Sequence, residues 1–286
     1  MTRSNPTVAR RQLSVLLKEA RERSGRSLDD LAQFLEVSAP QASRLDSGVR
    51  GFRTDDVDRL ADWYGLDGIE KQHLLALSVE SRRREWWQQV DLDDAYRALI
   101  GMEQAAQSIA EYGGSVLPGL LQTPAYAHAV ASVIHPEIGP DIGPEEIDQA
   151  VEVRMRRQRI LDRDRPPRLE IVIDELVLAR GVQGGGVMRE QLEHVLRMTD
   201  KINISVQVVG FEFGLHPGLN SHFILLTMAA GLPDFLYSEG LRGSVASSDD
   251  DVLVRYRRAW TELRGIALDP VASRARIDGY LHRLSP

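Results

Sequence analysis

Apolar side chains recur at helical spacing through the first part of the chain. Four of them share one face of a helix because they stand at positions i, i+3, i+4 and i+7: these are Leu13, Leu16, Leu17 and Ala20. The spacing predicts a helix that begins at Arg10 and ends at Gly25, with residues 1–9 as a loose arm. The fourth helix along the chain is predicted to begin just after Thr54, which is expected to be its capping residue.

Two short helices are predicted between these two. Ser27 and Asp30 form the capping-box pattern at the start of one, and Ser38 and Gln41 repeat that pattern at the start of the next. Gly48 is a residue typical of the position just after a helix. The two helices are therefore joined by a tight turn of about three residues, which is typical of a helix-turn-helix motif.

After the fourth helix, the chain is predicted to continue with further helices, and strands appear among them from residue 169 onward. Helices are predicted over 68–90, 95–112, 126–134, 145–161, 189–199, 252–267 and 273–284. Short apolar, partly β-branched runs predict strands over 169–173, 204–209, 223–228 and 235–237. The sequence thus predicts an α+β fold. An all-α helix-turn-helix domain spans residues 1–80, a linker helix spans 81–92, and a larger mixed domain with a small β-sheet spans 93–286.

The helix-turn-helix segment divides into inward and outward residues. Ala42 and Leu45 are predicted to face the core, Val37 to fill the turn, and Ala32 to allow the helices to approach closely. The second helix is then free to enter a major groove of double-stranded DNA. The predicted DNA-contacting residues are Ser27, Ser38, Ala39, Pro40, Gln41, Ser43, Arg44, Arg50 and Arg53.

Several of these residues have two interpretations. Arg44 can hydrogen-bond guanine through both arms of its guanidinium, whereas Gln41 either reads adenine, braces a phosphate or only completes the Ser38 cap. Ser27 and Ser38 either hold phosphates through the amides they cap or act as plain caps. Arg50 and Arg53 either contact the DNA backbone or are solvated surface, and the run 82–84 either reaches flanking phosphates or belongs to a polar linker.

The segment 31–48 resembles the phage-repressor-like class of helix-turn-helix regulators. Two residues depart from that pattern: Glu36 stands where a turn glycine is usual, and Asp46 stands where glutamate is usual. The resemblance implies a positive φ angle at Glu36, which costs about 1 kcal/mol for a residue with a side chain.

The rest of the chain has a resemblance of its own. It rests on Trp86-Trp87, on Arg154-Met155-Arg156-Arg157-Gln158, and on the string Leu117-Pro118-Gly119-Leu120-Leu121-Gln122-Thr123-Pro124-Ala125-Tyr126-Ala127. Together these look like actinobacterial antitoxin-like transcriptional regulators, in which a phage-repressor-like head precedes a poorly understood domain. The resemblance implies control by a small partner protein encoded by an adjacent gene. Without it, the string itself is explained by a Pro-Gly turn and by Thr123 capping a helix that starts at Pro124.

Charge supports contact with DNA by the first domain alone. The net charge is −7, but residues 1–53 hold ten basic and six acidic side chains, a balance of +4, and the remaining 25 basic and 36 acidic side chains give −11. Cysteine is absent, and no apolar run reaches the roughly 18 residues of a membrane span. These features predict a cytoplasmic protein with no membrane partner.

Catalytic signals are weak throughout. The seven histidines offer no pair at metal-ligand spacing, the run 184–186 lacks the spacing of a phosphate loop, and Asp174-Glu175 is explained by a cap at a strand-to-helix step. We therefore expect no enzyme activity, no metal and no cofactor.

The expected protein is a transcriptional regulator that binds DNA as a homodimer, because one recognition helix reads only a few base pairs. Control through a small partner protein is the first hypothesis, and sensing of a small-molecule effector by the second domain is the alternative. A third class is an interaction adaptor whose head does not read DNA.

Overall fold

The structure is a computed structural model that describes residues 5–83, 85–133, 143–182, 186–219, 221–229, 232–240 and 243–284. Contacts divide the chain into two compact units, Met1–Ala105 with Ala229–Leu232, and Ala106–Met228 with Pro233–Pro286. The described residues form helices and a six-stranded sheet, so the predicted α+β class is confirmed. The linker over 81–92 and the domain boundaries beside it stay predictions.

The first unit is helical. Its elements are α1 (Pro6–Arg23), α2 (Leu28–Phe34), α3 (Ala39–Asp46), α4 (Thr54–Trp63), α5 (Gly68–Ser81) and α6 (Asp94–Glu103). The inward stripe of α1 packs against apolar residues of α2 to α5 in one core. Leu13, Leu31 and Leu60 are among its fully buried members. The four predicted N-terminal helices are therefore all present.

Two predicted helix starts are displaced. The loose arm was wrong at its end, because Pro6–Ala9 belong to α1: Asn5 caps the helix by accepting hydrogen bonds from the amides of Thr7 and Val8 at 3.0 and 3.2 Å. Thr54 is the first residue of α4 rather than its cap, and its hydroxyl lies 2.9 Å from that of Ser78.

The helix predicted over 68–90 ends early, at Ser81, and only a short 3₁₀ turn follows at Trp86–Gln88. The helix predicted over 95–112 was wrong in its second half. The chain leaves α6 at Glu103 and enters a strand at Ala106. The second error has a clear cause, because β1 pairs with β2 and β4 and local helix propensity is a weak guide when such pairing competes with it.

The turn between α2 and α3 has the left-handed backbone that the resemblance to phage-repressor-like regulators implied. Glu36 has a φ of 55° and is the only non-glycine residue with a positive φ in the described ranges. The amide of Val37 donates to the carbonyl of Ala32 at 3.0 Å and closes the turn. The missing glycine is thus tolerated without loss of the motif.

The second unit is built around one sheet. Its strands are β1 (Ala106–Gly113), β2 (Arg168–Asp174), β3 (Ile204–Val209), β4 (His222–Met228), β5 (Phe235–Gly240) and β6 (Gly243–Ser247), in the order β3-β2-β1-β4-β5-β6. β1, β2 and β3 are mutually parallel, whereas β4, β5 and β6 pair antiparallel. The four predicted strands are present; β1 and the polar edge strand β6 were missed.

The second unit also contains helices that precede or follow these strands along the chain: α7 (Pro124–Ala131), α8 (Pro144–Gln158), α9 (Leu176–Ala179), α10 (Val187–Met198), α11 (Asp250–Ile266) and α12 (Pro270–Arg283). Thr123 caps α7 as predicted, through its hydroxyl and the amide of Tyr126. Leu253, Trp260 and Leu263 of α11 pack on one face of the sheet. Residues 134–142 and 183–185, including most of the predicted turn at 184–186, lie outside the described residues.

A carboxyl side chain lies buried at the centre of the sheet. Glu111 on β1 is fully buried, and its Oε1 lies 3.1 Å from Nε2 of His222 on β4. Nδ1 of His222 lies 3.8 Å from Glu239 on β5. Burial alone lowers the pKa of His222, but the hydrogen bond to Glu111 and the charge of Glu239 outweigh burial and the opposing charge of Arg157, so the pKa is raised.

We predict that replacing Glu36 by glycine stabilises the first unit by about 0.5–1 kcal/mol. Glycine removes the steric cost of the left-handed backbone, and the greater freedom of the unfolded chain offsets part of that gain. Urea unfolding monitored by circular dichroism measures the difference. Glu36→Ala is the matched control and should be close to neutral, since alanine keeps the Cβ. A destabilised glycine variant would show that the turn is held by the Glu36 side chain instead.

We also predict a pH-dependent stability of the sheet that depends on His222. Because the folded pKa is raised, protonated His222 stabilises the fold fully below its unfolded pKa of about 6.5, and this contribution is lost as the pH rises through the folded pKa. Protection of the β1 and β4 amides against hydrogen exchange, corrected for intrinsic rates, should fall as the pH rises above about 6.5. The fall should shrink in His222→Gln and persist in His282→Gln, whose imidazole is 75% exposed.

Candidate nucleic-acid interface

The α2–α3 pair separates its core-facing residues from its outer face as the sequence predicts. Ala42 is fully buried, Leu45 and Ala32 are buried, and Val37 packs partly buried against the same core. Gly48 follows α3 with a φ of 73°, as expected of a residue just after a helix. This packing fixes which side of α3 is left for a partner.

The predicted DNA-contacting residues lie on that outer side. All but one of them are exposed, and Gln41 is half-buried. Four successive exposed or half-exposed residues, Ser38 to Gln41, form the start of α3, and Ser43 and Arg44 follow one turn later. Their exposure is compatible with contact to DNA, and the individual contacts stay predictions.

Both predicted capping boxes include a side chain that reaches back to the cap. The Asp30 carboxylate accepts the Ser27 amide at 2.8 Å, and the Ser27 hydroxyl accepts the Asp30 amide at 3.1 Å. These contacts lower the pKa of Asp30. At α3, Oε1 of Gln41 accepts the Ser38 amide at 3.1 Å. The capping role of Gln41 is therefore present, and it uses only the amide oxygen.

A bidentate ion pair connects α3 to α1. Nε and Nη2 of Arg21 donate to the two carboxylate oxygens of Asp46 at 3.0 and 3.1 Å, and the side chains are only 9% and 14% exposed. Nη1 of Arg21 also donates to the carbonyl of Arg26 at 2.9 Å. Burial lowers the pKa of Arg21, but the hydrogen bond and charge of Asp46 raise it further, so the guanidinium stays charged.

Two more side chains of α1 bind the end of α3. The Ser14 hydroxyl donates to the carbonyl of Leu45 at 2.9 Å in the buried interior, and Nη1 of Arg11 donates to the carbonyl of Ser47 at 2.6 Å. These carbonyls belong to the last turn of a helix, where backbone acceptors lack partners within the helix. Sequence reasoning missed Arg11, Ser14 and Arg21, because their partners lie 25 or more residues away and no local pattern signals them.

An aromatic stack supports α2 from the other side. The rings of Phe34 and Trp63 are stacked with centroids 4.1 Å apart, and the guanidinium of Arg26 lies 3.9 Å from the Trp63 ring centroid. Arg26 also donates to the Trp63 carbonyl at 3.1 Å. The helix-turn-helix is thus braced against both α1 and α4.

The second unit holds a polar cluster where the sequence raised the question of catalysis. Asp174 accepts the Leu176 amide at 2.7 Å, which is the predicted cap, and its other oxygen lies 3.0 Å from Nε2 of His216. Glu175 is buried and binds Arg276 and the Tyr280 hydroxyl. Within the described residues, no three histidine, aspartate or glutamate side chains are placed to hold a metal ion. Nor does any helix in those ranges combine the length and apolar character needed to span a bilayer.

We predict that Asp46→Ala lowers the free energy of unfolding by about 3 kcal/mol, because it leaves the Arg21 charge buried without its partner. Replacing both members by apolar residues, in Arg21→Met with Asp46→Leu, should cost less than the single change, since no unpaired charge remains. Urea unfolding of the three proteins tests this. A double variant less stable than Asp46→Ala would contradict the assignment of the pair as a desolvated ion pair.

Two family models match the chain. Residues 12–74 match a helix-turn-helix domain, which agrees with the geometry of α2 and α3. Residues 96–279 match a family described as a domain of unknown function (DUF5753). No curated protein and no solved structure matches the chain. Since the second match covers more than half of its length, this chain belongs to the DUF5753 family and carries a helix-turn-helix domain at its N-terminal side.

Proposed function

We propose that this protein is a sequence-specific DNA-binding transcriptional regulator of the cytoplasm, without enzyme activity or a cofactor. The observation that carries the proposal is the construction of α3. The helix is clamped to α1 by Arg21–Asp46 and by Ser14, while Ser43 and Arg44 remain exposed on its outer face. A rigid helix with an exposed polar face is what direct reading of a major groove requires.

Arg44 is the residue proposed to read sequence. Its guanidinium can donate both arms to O6 and N7 of a guanine, a contact that discriminates against other bases by about 1–3 kcal/mol. Arg50 and Arg53 follow α3 and are exposed, so they suit contacts to phosphates, which position the protein without reading sequence. The +4 balance of residues 1–53 supports attraction to the DNA backbone.

We also propose that the protein acts as a homodimer. An eight-residue α3 reaches only a few base pairs, and a two-fold pair of such helices doubles the contacts on half-sites about 34 Å apart. The dimer is an inference from the reach of one helix.

Control is proposed to act through the second unit, by an antitoxin-like response to a small protein encoded by the adjacent gene. The support is an exposed apolar segment: Phe211, Phe213, Leu215 and Leu219 are 56%, 47%, 87% and 45% exposed. Clustered exposed apolar side chains are typical of protein-binding surfaces.

The competing candidate is a small-molecule effector. Co-purification of the full chain with the adjacent gene product favours the first, and binding of a metabolite by the chain alone favours the second.

We expect Arg44→Ala to weaken binding to the protein's own promoter about 10- to 100-fold, which corresponds to the loss of one bidentate base contact. Binding to unrelated DNA should change much less, because nonspecific binding rests on phosphates. Fluorescence anisotropy at several salt concentrations measures both affinities.

Arg23→Ala is the matched control. Arg23 is an exposed arginine of the same unit, it is the last residue of α1, and it pairs with Glu70. If the variant at Arg44 kept a full, salt-dependent preference for the promoter, the assignment of α3 as the recognition helix would be wrong. If the unaltered protein preferred no genomic fragment over bulk DNA, the proposed function itself would fail and the adaptor interpretation would gain.

A further inference from the structure

A cleft of about 600 Å³ opens in the first unit beside the end of α3. Arginines dominate the described side chains that line it, and Asp94 is the one acidic residue among them. The arginines are Arg10, Arg44, Arg50, Arg53 and Arg82. Such a concentration of like charge is unfavourable unless anions approach it, so the cleft calls for an explanation.

Four separate elements bring these arginines together. Arg10 comes from α1, Arg44 from α3, and Arg50 and Arg53 from the segment before α4, whereas Arg82 directly follows α5. The side chain of Arg10 runs directly past Gly51, where a Cβ would lie 3.4 Å from its Nε. Residues 10 and 82 are far apart along the chain, so this site exists only when the first unit is folded.

The acidic residue of the cleft does little to neutralise it. The Asp94 carboxylate accepts Nη1 of Arg97 at 2.7 Å, so its charge is already shared with another guanidinium. Nε of Arg10 is buried and has no hydrogen-bond partner among the described residues. Burial and the charge of Arg97 lower the pKa of Arg10, against the weaker effect of Asp94. An incoming anion would offset part of the cost of holding this guanidinium charge away from water.

We propose that the arginine cleft binds phosphate groups, and that Arg10 and Arg82 thereby extend the DNA contact beyond the helix-turn-helix. Guanidinium forks match phosphate oxygens in geometry as well as charge, which favours phosphate over a point-like anion. The DNA backbone is the favoured source because Arg44 belongs both to the cleft and to the exposed face of α3. This inference rests on the proposed function, whereas the phosphate chemistry of the cleft stands apart from it.

The test compares Arg10→Gln, Arg82→Gln and the double variant in the full chain. Arg82 is exposed, so its replacement leaves the fold intact even if Arg10, which is half-buried, proves to matter for stability. Arg23→Gln is the control: it removes the same charge from the other end of α1, about 20 Å away at 1.5 Å per residue. The readout is the slope of log affinity against log salt concentration on the promoter and on unrelated DNA.

Each lost phosphate contact should reduce that slope by about 0.9, and the double variant should lose about 2. Affinity for promoter and unrelated DNA should fall by the same factor, in contrast to Arg44→Ala, which changes their ratio. A second arm titrates the unaltered protein and the variants with inorganic tripolyphosphate in a calorimeter.

Reduced slopes in the cleft variants, with no change in Arg23→Gln, support contact to the DNA backbone. Unchanged slopes with tripolyphosphate binding that the variants lose would assign the cleft to free phosphate compounds and reject DNA as the source. Unchanged slopes and no tripolyphosphate binding would overturn the proposal, even if the promoter preference, and with it the proposed function, held.

Discussion

The placement of α3 depends above all on the ion pair between Arg21 and Asp46. An eight-residue helix is too short to persist alone in water, so its position must come from tertiary contacts. The paired, largely desolvated charges add a directional contact between α1 and α3 to the apolar packing of Ala42 and Leu45. Every outward contact proposed for Arg44 depends on the position that this pair helps to give α3.

The sequence could predict what is encoded within a few residues. Ser27 with Asp30 and Ser38 with Gln41 predicted two helix starts, and the resemblance of segment 31–48 to phage-repressor-like regulators implied the left-handed turn at Glu36. Contacts between distant segments left no such signal. The Arg21–Asp46 pair spans 25 residues, so the support of α3 was not visible in the sequence. Phosphate contact by the run 82–84 was one of two interpretations of the sequence, but nothing local indicated that Arg10 and Arg82 line one cleft.

The second unit shows the same limit in its sheet. β2 to β5 are rich in apolar and β-branched residues and were predicted, whereas β1, in the middle of the sheet, contains alanine, glutamine and a buried glutamate. Read locally, these residues favour a helix. The partner that makes Glu111 acceptable there, His222, follows 111 residues later. A strand defined by its neighbours cannot be recognised without them.

The central position of β1 has a consequence for the order in which the chain acquires structure. Its parallel neighbour β2 begins only at residue 168 and its antiparallel neighbour β4 only at residue 222. Pairing of β1 must therefore wait for strands that come much later in the chain, whereas α1 to α6 all lie within residues 6–103. During synthesis the helix-turn-helix therefore completes its fold while the sheet still awaits its later strands. We therefore expect the surface proposed to face DNA to form before the unit proposed to control it.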